Sequence, residues 1–298
     1  MADLTEGAAP ARFIDLHSHT DESDGSLPPE ALVRLAKSSG LDALAITDHD
    51  TFAGFEKAAS FAREAGLDLV RGIELNSRLK MGDEAERSAH LLGYFPWGEP
   101  SCEMMGFLDR QRQERRERNQ RLAAVLRSRG VDVTAEEVEA RGKSLAGRVH
   151  FAQLLVEKGY AESSNDAFRR YLGEAAPTYV HRESLTTEEA IRTVRRAGGI
   201  PVLAHPVRLG LLREAEREVF LRLRRAGLMG LEIYHSEHSP ALQAHYRQLA
   251  EELALLPTGG SDFHGAIKPT INLGTGLQGN VRVPREFLDR MRSAAAKA

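Results

Sequence analysis

Residues 13 to 26, FIDLHSHTDESDGS, carry an apolar run that stops at His17-Ser18-His19 and is followed at once by Asp21, Glu22 and Asp24. In extended backbone, alternate side chains share a face, so His17 and His19 point the same way. The same pattern recurs along the chain: ALAIT before Asp48-His49, LVRGI before Glu74, SAHLLGYF carrying His90, and IPVLA before His205-Pro206. GLEIY before His235 and LPTGGS before Asp262-Phe263-His264 complete the series. These are seven predicted strands, each with a His, Asp or Glu at or near one end.

Helical segments separate most of them. In LPPEALVRLAKSSG the prolines fall in the first turn and Gly40 just past the end, the usual asymmetry of helix termini. Asp50 or Thr51 is positioned to cap FAGFEKAASFAREAG, and Thr186 with Glu189 reads as a capping box. Buried-looking strands alternating with helices predict a parallel α/β fold. Polar residues gathered at the strand ends favour a barrel over an open sheet, because barrel active sites collect on that face. From about Glu99 to Ser184 the strand signal gives way to polar helical text, read as a helical insertion that caps the strand ends. The expected organisation is barrel over 1–98, helical insertion over 99–185, and barrel again over 186–298.

The bulk composition sets limits. At 298 residues, 42% hydrophobic and 28% charged, the chain suits a globular protein with a sizeable core. A net charge of -3 and a pI near 6.4 give no global attraction to nucleic acid or membrane, so any anionic partner must meet a local patch. A lone cysteine, Cys102, rules out an intramolecular disulfide framework and a thiolate cluster. The stretch MADLTEGAAPAR has no apolar core of a signal peptide, and no run reaches the length of a membrane span. A cytoplasmic protein without a membrane or an obligate protein partner is the expectation.

Of the eleven histidines, seven (His17, His19, His49, His90, His205, His235, His264) lie at or near predicted strand ends. Asp24, Asp48, Glu74 and Asp262 join them. Imidazoles and carboxylates without thiolates suit Mn, Zn or Fe rather than a closed structural zinc site. The number of donors exceeds the needs of one ion, which predicts a multinuclear site with Glu74 as the bridging carboxylate. Paired divalent ions about 3.5–4 Å apart activate water and clamp an in-line displacement at phosphorus. Phosphate-ester hydrolysis follows, with amide or ester hydrolysis open on the residues alone. Asp48 and Glu232 are read as hydrogen-bond supports for ligands. Eight arginines against two glutamates between Arg110 and Arg129 mark a solvated or anion-facing helix.

The motifs HSHTDESDG (17–25), ITDHDT (46–51), GIE (72–74), HLLGY (90–94), LAHP (203–206) and GSDFH (260–264) resemble the PHP family, the polymerase and histidinol phosphatase superfamily. They cover the chain in order outside the insertion. Within that family the chain is most similar to the small bacterial phosphoesterases that hydrolyse nucleoside 3′,5′-bisphosphates and degrade short RNA from the 5′ end. The resemblance implies a distorted (β/α)₇ barrel of α/β class, with a helical insertion, holding three divalent ions, usually Mn2+, with Fe2+ or Zn2+ as substitutes. It implies one ion on His17, His19, Glu74 and Asp262, a second on Glu74, His90 and His205, and a third on Asp24, His49 and His264. Asp24 marks a subgroup, since many relatives have histidine there.

In the insertion, GRVHFA (147–152) and RYLGEAAPTYV (170–180) resemble subgroup elements. Arg118 and Arg148 match its basic positions and are expected to bind substrate phosphate. His238 and Ser239 align with a substrate-contacting turn. Ala176 stands before Pro177 where relatives often carry Lys or Arg, which removes one expected phosphate contact. The expected catalytic residues are Asp262, His205 and His238, the last two as candidates for protonating the leaving oxygen. The expected partner is a nucleotide, with short RNA as a further substrate. A histidinol-phosphatase-like enzyme and a non-catalytic scaffold are the alternatives.

Overall fold

The computed structural model describes residues 13–81, 85–181 and 184–295. The stretch MADLTEGAAPAR and the last three residues of the alanine-rich tail lie outside them.

All seven predicted strands form: β1 (Phe13–Asp15), β2 (Ala43–Ile46), β3 (Asp68–Met81), β4 (Ala85–Phe95), β5 (Ile200–Leu203), β6 (Gly230–Tyr234) and β7 (Leu256–Gly259). They run in that spatial order in one sheet, with a short strand, Val283–Pro284, added antiparallel to β1. The sheet is mixed rather than wholly parallel. β4 runs antiparallel to both β3 and β5, while the other neighbours among β1 to β7 are parallel. Chain length explains this. A parallel crossover needs a dozen or more residues, and only three separate Met81 from Ala85.

The end of β7 and the residues after it meet the upper end of β1. Backbone N–H groups of Leu16, Asp262 and His19 donate to Gly259, His17 and Phe263 at 2.9–3.1 Å, which closes the barrel. Gly260 makes this approach possible, because a Cβ there would lie 2.3 Å from the His17 nitrogen. Asp15 stitches the seam from within. It is fully buried and accepts from the backbone of His17, Ser261 and Gly274 and from the Ser261 hydroxyl.

Alternate strand residues fill the interior: Ile14 and Leu16, Ala43 and Ala45, Leu92 and Tyr94, Val202 and Ala204. Phe287, Leu288 and Met291 of the C-terminal helix (Arg285–Ala295) close the lower end. Helices α1 (Pro29–Ser38) and α2 (Ala53–Ala65) cover β2 and β3. The helices Thr187–Arg196, Arg213–Arg225 and Pro240–Glu252 cover the rest. The capping box forms: Thr186 Oγ1 accepts from the Glu189 N–H, and Glu189 returns the bond to the Thr186 N–H.

Between β4 and β5 the described residues form helices and no strand: α3 (Cys102–Arg127), α4 (Ala135–Arg141), α5 (Arg148–Glu157) and α6 (Ser164–Ala167), which runs into a π turn at Phe168–Leu172. They pack around their own core, including Leu122, Leu126, Val138, Phe151 and Leu155. Ion pairs tie this unit to the barrel. Lys143 meets Asp21 at 2.6 Å, Glu174 meets Arg78 at 2.7 Å, and Arg115 meets Asp50.

Candidate metal centre

His17 and His19 leave β1 on one face, their ring centroids 5.3 Å apart, and both Nε2 atoms converge on the same two carboxylates. His17 Nε2 lies 3.4 Å from Glu74 Oε2 and 3.5 Å from Asp262 Oδ1, and His19 Nε2 lies 3.2 and 3.4 Å from the same atoms. Glu74, in mid-β3, is the hub. Its other oxygen meets His90 Nδ1 at 2.8 Å and His205 Nε2 at 2.9 Å, and His49 Nδ1 lies 3.3 Å from Oε2. Asp24 faces His264 Nε2 at 3.4 Å, His19 Nδ1 at 3.6 Å and His49 Nε2 at 3.7 Å.

Among the described residues, three sets of donors have ligand atoms that all lie within 4.8 Å of one another: His17, His19, Glu74 and Asp262; His19, Asp24, His49 and His264; and His49, Glu74 and His90. The first coincides with a set implied by the resemblance. The second adds His19 to the implied set. The third has His49 where the resemblance implies His205, which instead contacts Glu74 Oε1 directly.

The donor set fits divalent cations. His17 Nε2, both nitrogens of His19 and His49 Nδ1 are buried without a hydrogen-bond partner, an expense a fold rarely bears without a ligand. Nitrogen–oxygen gaps of 3.2–3.5 Å are long for hydrogen bonds. They equal the edge of a shell of bonds about 2.1 Å long.

The electrostatics agree. Burial alone would raise Glu74, Asp24 and Asp262. Surrounding cations and imidazoles, His49 and His90 at Glu74, His264 and His49 at Asp24, Lys268 and His264 at Asp262, hold all three well below the usual carboxylate range. Burial holds His49 at about 4 and, with Arg208, His205 well below its ordinary value, so both rings are neutral donors. At His19 burial is overcome by Asp262 and Glu74, which lift it to about 9. The carboxylates thus create a field that demands positive charge where the rings converge.

Glu232 accepts from His17 Nδ1 at 2.9 Å and from the His205 backbone N–H at 2.6 Å, fixing the His17 ring and the backbone that carries His205. His205 (φ 24°) and Asp262 (φ 55°) occupy the left-handed region that non-glycine residues avoid. Such strain concentrates at functional sites and is held here by the bonds to Glu232 and to the His17 carbonyl.

Above these clusters lies a cleft of about 260 Å³ between the barrel and the helical unit. Asp24, His49, Glu74, His90, Asp262 and His264 line one side. The first turn of α5, Arg115 and Phe168 line the other, with Arg208 and Lys268 at the rim. Arg208 and Lys268 lie 2.9 and 2.7 Å from Asp262 Oδ2. A smaller lobe adjoins it through Asn76, Arg115 and Arg148, adding Arg78 and Arg118, with Glu174 its one acid among the described residues.

The PHP domain model matches residues 15–176, more than half of the chain. The chain belongs to the PHP domain family. It is 34% identical over 273 residues to a 5′-3′ exoribonuclease of Escherichia coli, covering 90% of each chain. It is 30% identical to a 3′,5′-nucleoside bisphosphate phosphatase of Chromobacterium violaceum, covering 84% of this chain and 87% of that one. Among solved structures, a metal-dependent phosphoesterase from Bifidobacterium adolescentis superposes with a TM-score of 0.80 at 32% identity, covering 96% of this chain and 97% of that one. This PHP protein is an enzyme, a metal-dependent phosphoesterase.

Several expectations for the PHP site change with the geometry. His238 does not reach the cleft. It is fully buried behind His235, its Nδ1 donating to the Ile233 carbonyl at 2.7 Å and its ring 4.9 Å from Tyr246. Ser239 is the N-cap of the helix Pro240–Glu252, its hydroxyl accepting from the Leu242 N–H. Neither lines the cleft. Asp48 bonds to no imidazole. Its carboxylate accepts from the Thr20 N–H, the Thr20 hydroxyl and the Ser23 hydroxyl at 2.6–2.7 Å, and so holds the turn that presents Asp24. Asp21 and Glu22 in that turn bind Lys143 and Ser144 of the helical unit.

Arg148 lines the cleft, whereas Arg118 is buried in the adjoining lobe. Ala176 is buried. Of the cations that the sequence did not single out, Arg208 and Lys268 pair with Asp262, and Arg115 lines the cleft while pairing with Asp50. Arg115 was hidden among seven other arginines of its segment, and Arg208 and Lys268 each stand near a recognised motif without belonging to it. Among the described residues no helix is long and apolar enough to cross a membrane.

Proposed function

We propose that this PHP enzyme removes a phosphate from nucleotides, nucleoside 3′,5′-bisphosphates foremost, giving the 5′-monophosphate, and that it also acts on short 5′-phosphorylated RNA. The reading rests on one observation. The imidazole–carboxylate clusters share a cleft with Arg115, Arg148, Arg208 and Lys268, and a second arginine-lined lobe opens from it. A nucleotide with two separated anionic groups matches this arrangement. A substrate bearing an ammonium group would meet a wall of like charge. The exoribonuclease and bisphosphatase names of the relatives point the same way.

In this proposal His17, His19, Asp24, His49, Glu74, His90, His205, Asp262 and His264 hold three divalent ions, Mn2+ foremost, with Fe2+ or Zn2+ as substitutes. Such ions supply the Lewis acidity that phosphate-ester hydrolysis needs. Glu74 and Asp262 fix the spacing of the imidazoles around it. Glu232 holds His17 and His205 in orientation. Arg148 neutralises phosphate charge from the cap, with Arg118 lining the second lobe. Residues 99–185 form the cap and the flanking segments the barrel. A cytoplasmic location, where such substrates arise, belongs to the same proposal.

The test is incubation of the purified protein with Mn2+ and adenosine 3′,5′-bisphosphate, beside a 5′-phosphorylated oligoribonucleotide and histidinol phosphate. Release of phosphate with adenosine 5′-monophosphate as product is expected. Absence of release from the nucleotide substrates with each of Mn2+, Fe2+ and Zn2+ would overturn the reading. Preference for histidinol phosphate would do the same.

A further inference from the structure

Asp24 and His49 lie beyond the ends of β1 and β2, and the helical unit reaches the residues next to both. At Asp24 the contact is Ser144, between α4 and α5, whose hydroxyl donates to Glu22. Glu22 is 1% exposed, and its other oxygen meets Lys57 of α2 at 2.7 Å. The turn that presents Asp24 is thus clamped from the barrel side by Lys57 and Asp48 and from the other side by Ser144.

At His49 the contact is Arg115 of α3, whose guanidinium pairs with Asp50. Asp50 is 2% exposed, stands at φ 50°, and donates its N–H to the Glu74 carbonyl at 3.1 Å. Its carboxylate also accepts from the Asn76 side-chain amide at 3.2 Å. The left-handed conformation of Asp50 follows directly on His49, so the bonds that hold it also set the path of the His49 backbone.

Asp24 and His49 meet in one donor set, with His19 and His264. Other donors answer to the barrel: Glu232 holds His17 and the His205 backbone, and Arg208 and Lys268 hold Asp262. The supports from the helical unit differ in weight. Lys143 and Asp21 pair near solvent, where such a bridge contributes little. Glu22 and Asp50 are buried carboxylates, and loss of a partner leaves a charge underbonded.

We propose that Ser144 and Arg115 are positioning residues for the ion of the Asp24, His49 and His264 set, so that the seat of the helical unit controls how tightly that one ion is held. By linkage, the bound ion also fixes the seat of the unit. This rests on the reading of that set as a metal site and makes no use of the substrate.

Two changes that conserve net charge test it. Ser144→Ala removes one hydroxyl. Arg115→Met combined with Asp50→Asn removes both partners of the ion pair and leaves the field at the ions close to unchanged. Mn2+ content is measured by equilibrium dialysis over a range of free Mn2+, with Asp24→Asn identifying the ion that belongs to the set. Ser144→Ala and the double variant should each weaken that ion about tenfold and leave the others within about twofold. In the Asp24→Asn background neither should have a further effect. Ser144→Thr restores the hydroxyl and should recover wild-type affinity. Glu174→Gln breaks a tie of the unit to Arg78, away from these ligands, and should leave every ion within about twofold. Uniform weakening of all ions, an effect of Glu174→Gln equal to that of Ser144→Ala, or unchanged affinity in either test variant overturns the proposal. So does wild-type Mn2+ binding that Asp24→Asn leaves unaltered. Selective loss of the Asp24 ion in a protein that releases no phosphate from nucleotides leaves the positioning role standing, and only the enzymatic reading fails.

Discussion

Glu232 and His17 are hydrogen-bonded at 2.9 Å although 215 positions apart in the chain, and both are fully buried. The bond fixes which imidazole nitrogen of His17 faces Glu74 and Asp262. Glu232→Gln leaves one acceptor oxygen for two donors, so the His17 ring or the His205 backbone N–H loses its partner. Glu232→Gln should lower divalent-metal affinity about 10- to 100-fold, as loss of outer-shell acceptors does elsewhere. Competition titration against a fluorescent chelator measures it, and unchanged affinity would refute the orienting role.

Asp48 contributes stability rather than metal affinity directly. Asp48→Ala would leave the Thr20 N–H and two hydroxyls unpaired in a buried turn, at a cost of about 2–4 kcal/mol. The check is urea unfolding of chelator-treated protein. A variant with wild-type stability and weakened metal binding would instead make Asp48 a metal support.

Lys268 lies 2.7 Å from Asp262 and is the leading charge that opposes the effect of burial there, favouring the ionised carboxylate. Removing it lets the Asp262 pKa rise. Metal binding by Lys268→Met should therefore fail at a higher pH on the acid side than in wild type. KM for phosphate substrates should rise, and its dependence on ionic strength should weaken. An acid limb at the wild-type position would count against the contact.

His238 is buried neutral, and burial brings its pKa down to about 4. The unfolded chain takes up the proton near pH 6.5, so between those values the unfolded state binds more protons. The stability associated with the neutral ring is complete above about pH 6.5 and is lost as pH falls toward 4. His238→Asn keeps a donor for the Ile233 carbonyl and removes the titration. Measured on metal-free protein, wild type should lose about 2 kcal/mol more than this variant between pH 7 and pH 5. Parallel profiles would show that His238 is not buried in its neutral form.

The candidate donors were legible because each of seven apolar runs carries a His, Asp or Glu at or near one end, and Glu74 and His90 fall inside the longer strands β3 and β4. The direction of SAHLLGYF was not. The run reads as a strand either way, and only the three-residue link from Met81 forces it antiparallel. His238 looked equivalent to His235 in YHSEHS, but the turn after β6 sends one ring to Asp262 and the other against Tyr246. Arg115 was indistinguishable from its neighbours on an arginine-rich helix, because burial of one face depends on what the helix packs against.

By itself the sequence determined the chemistry of the site and the class of fold. Local rules of strand alternation, helix capping and ligand type act over a few residues and are written in them. The tertiary structure alone decided which imidazoles and carboxylates come within reach of one another and which cations line the cleft beside them. Those relations join residues more than a hundred positions apart, such as Glu74 with His205, and depend on barrel closure at Gly260 and on the seat of the helical unit above the rim.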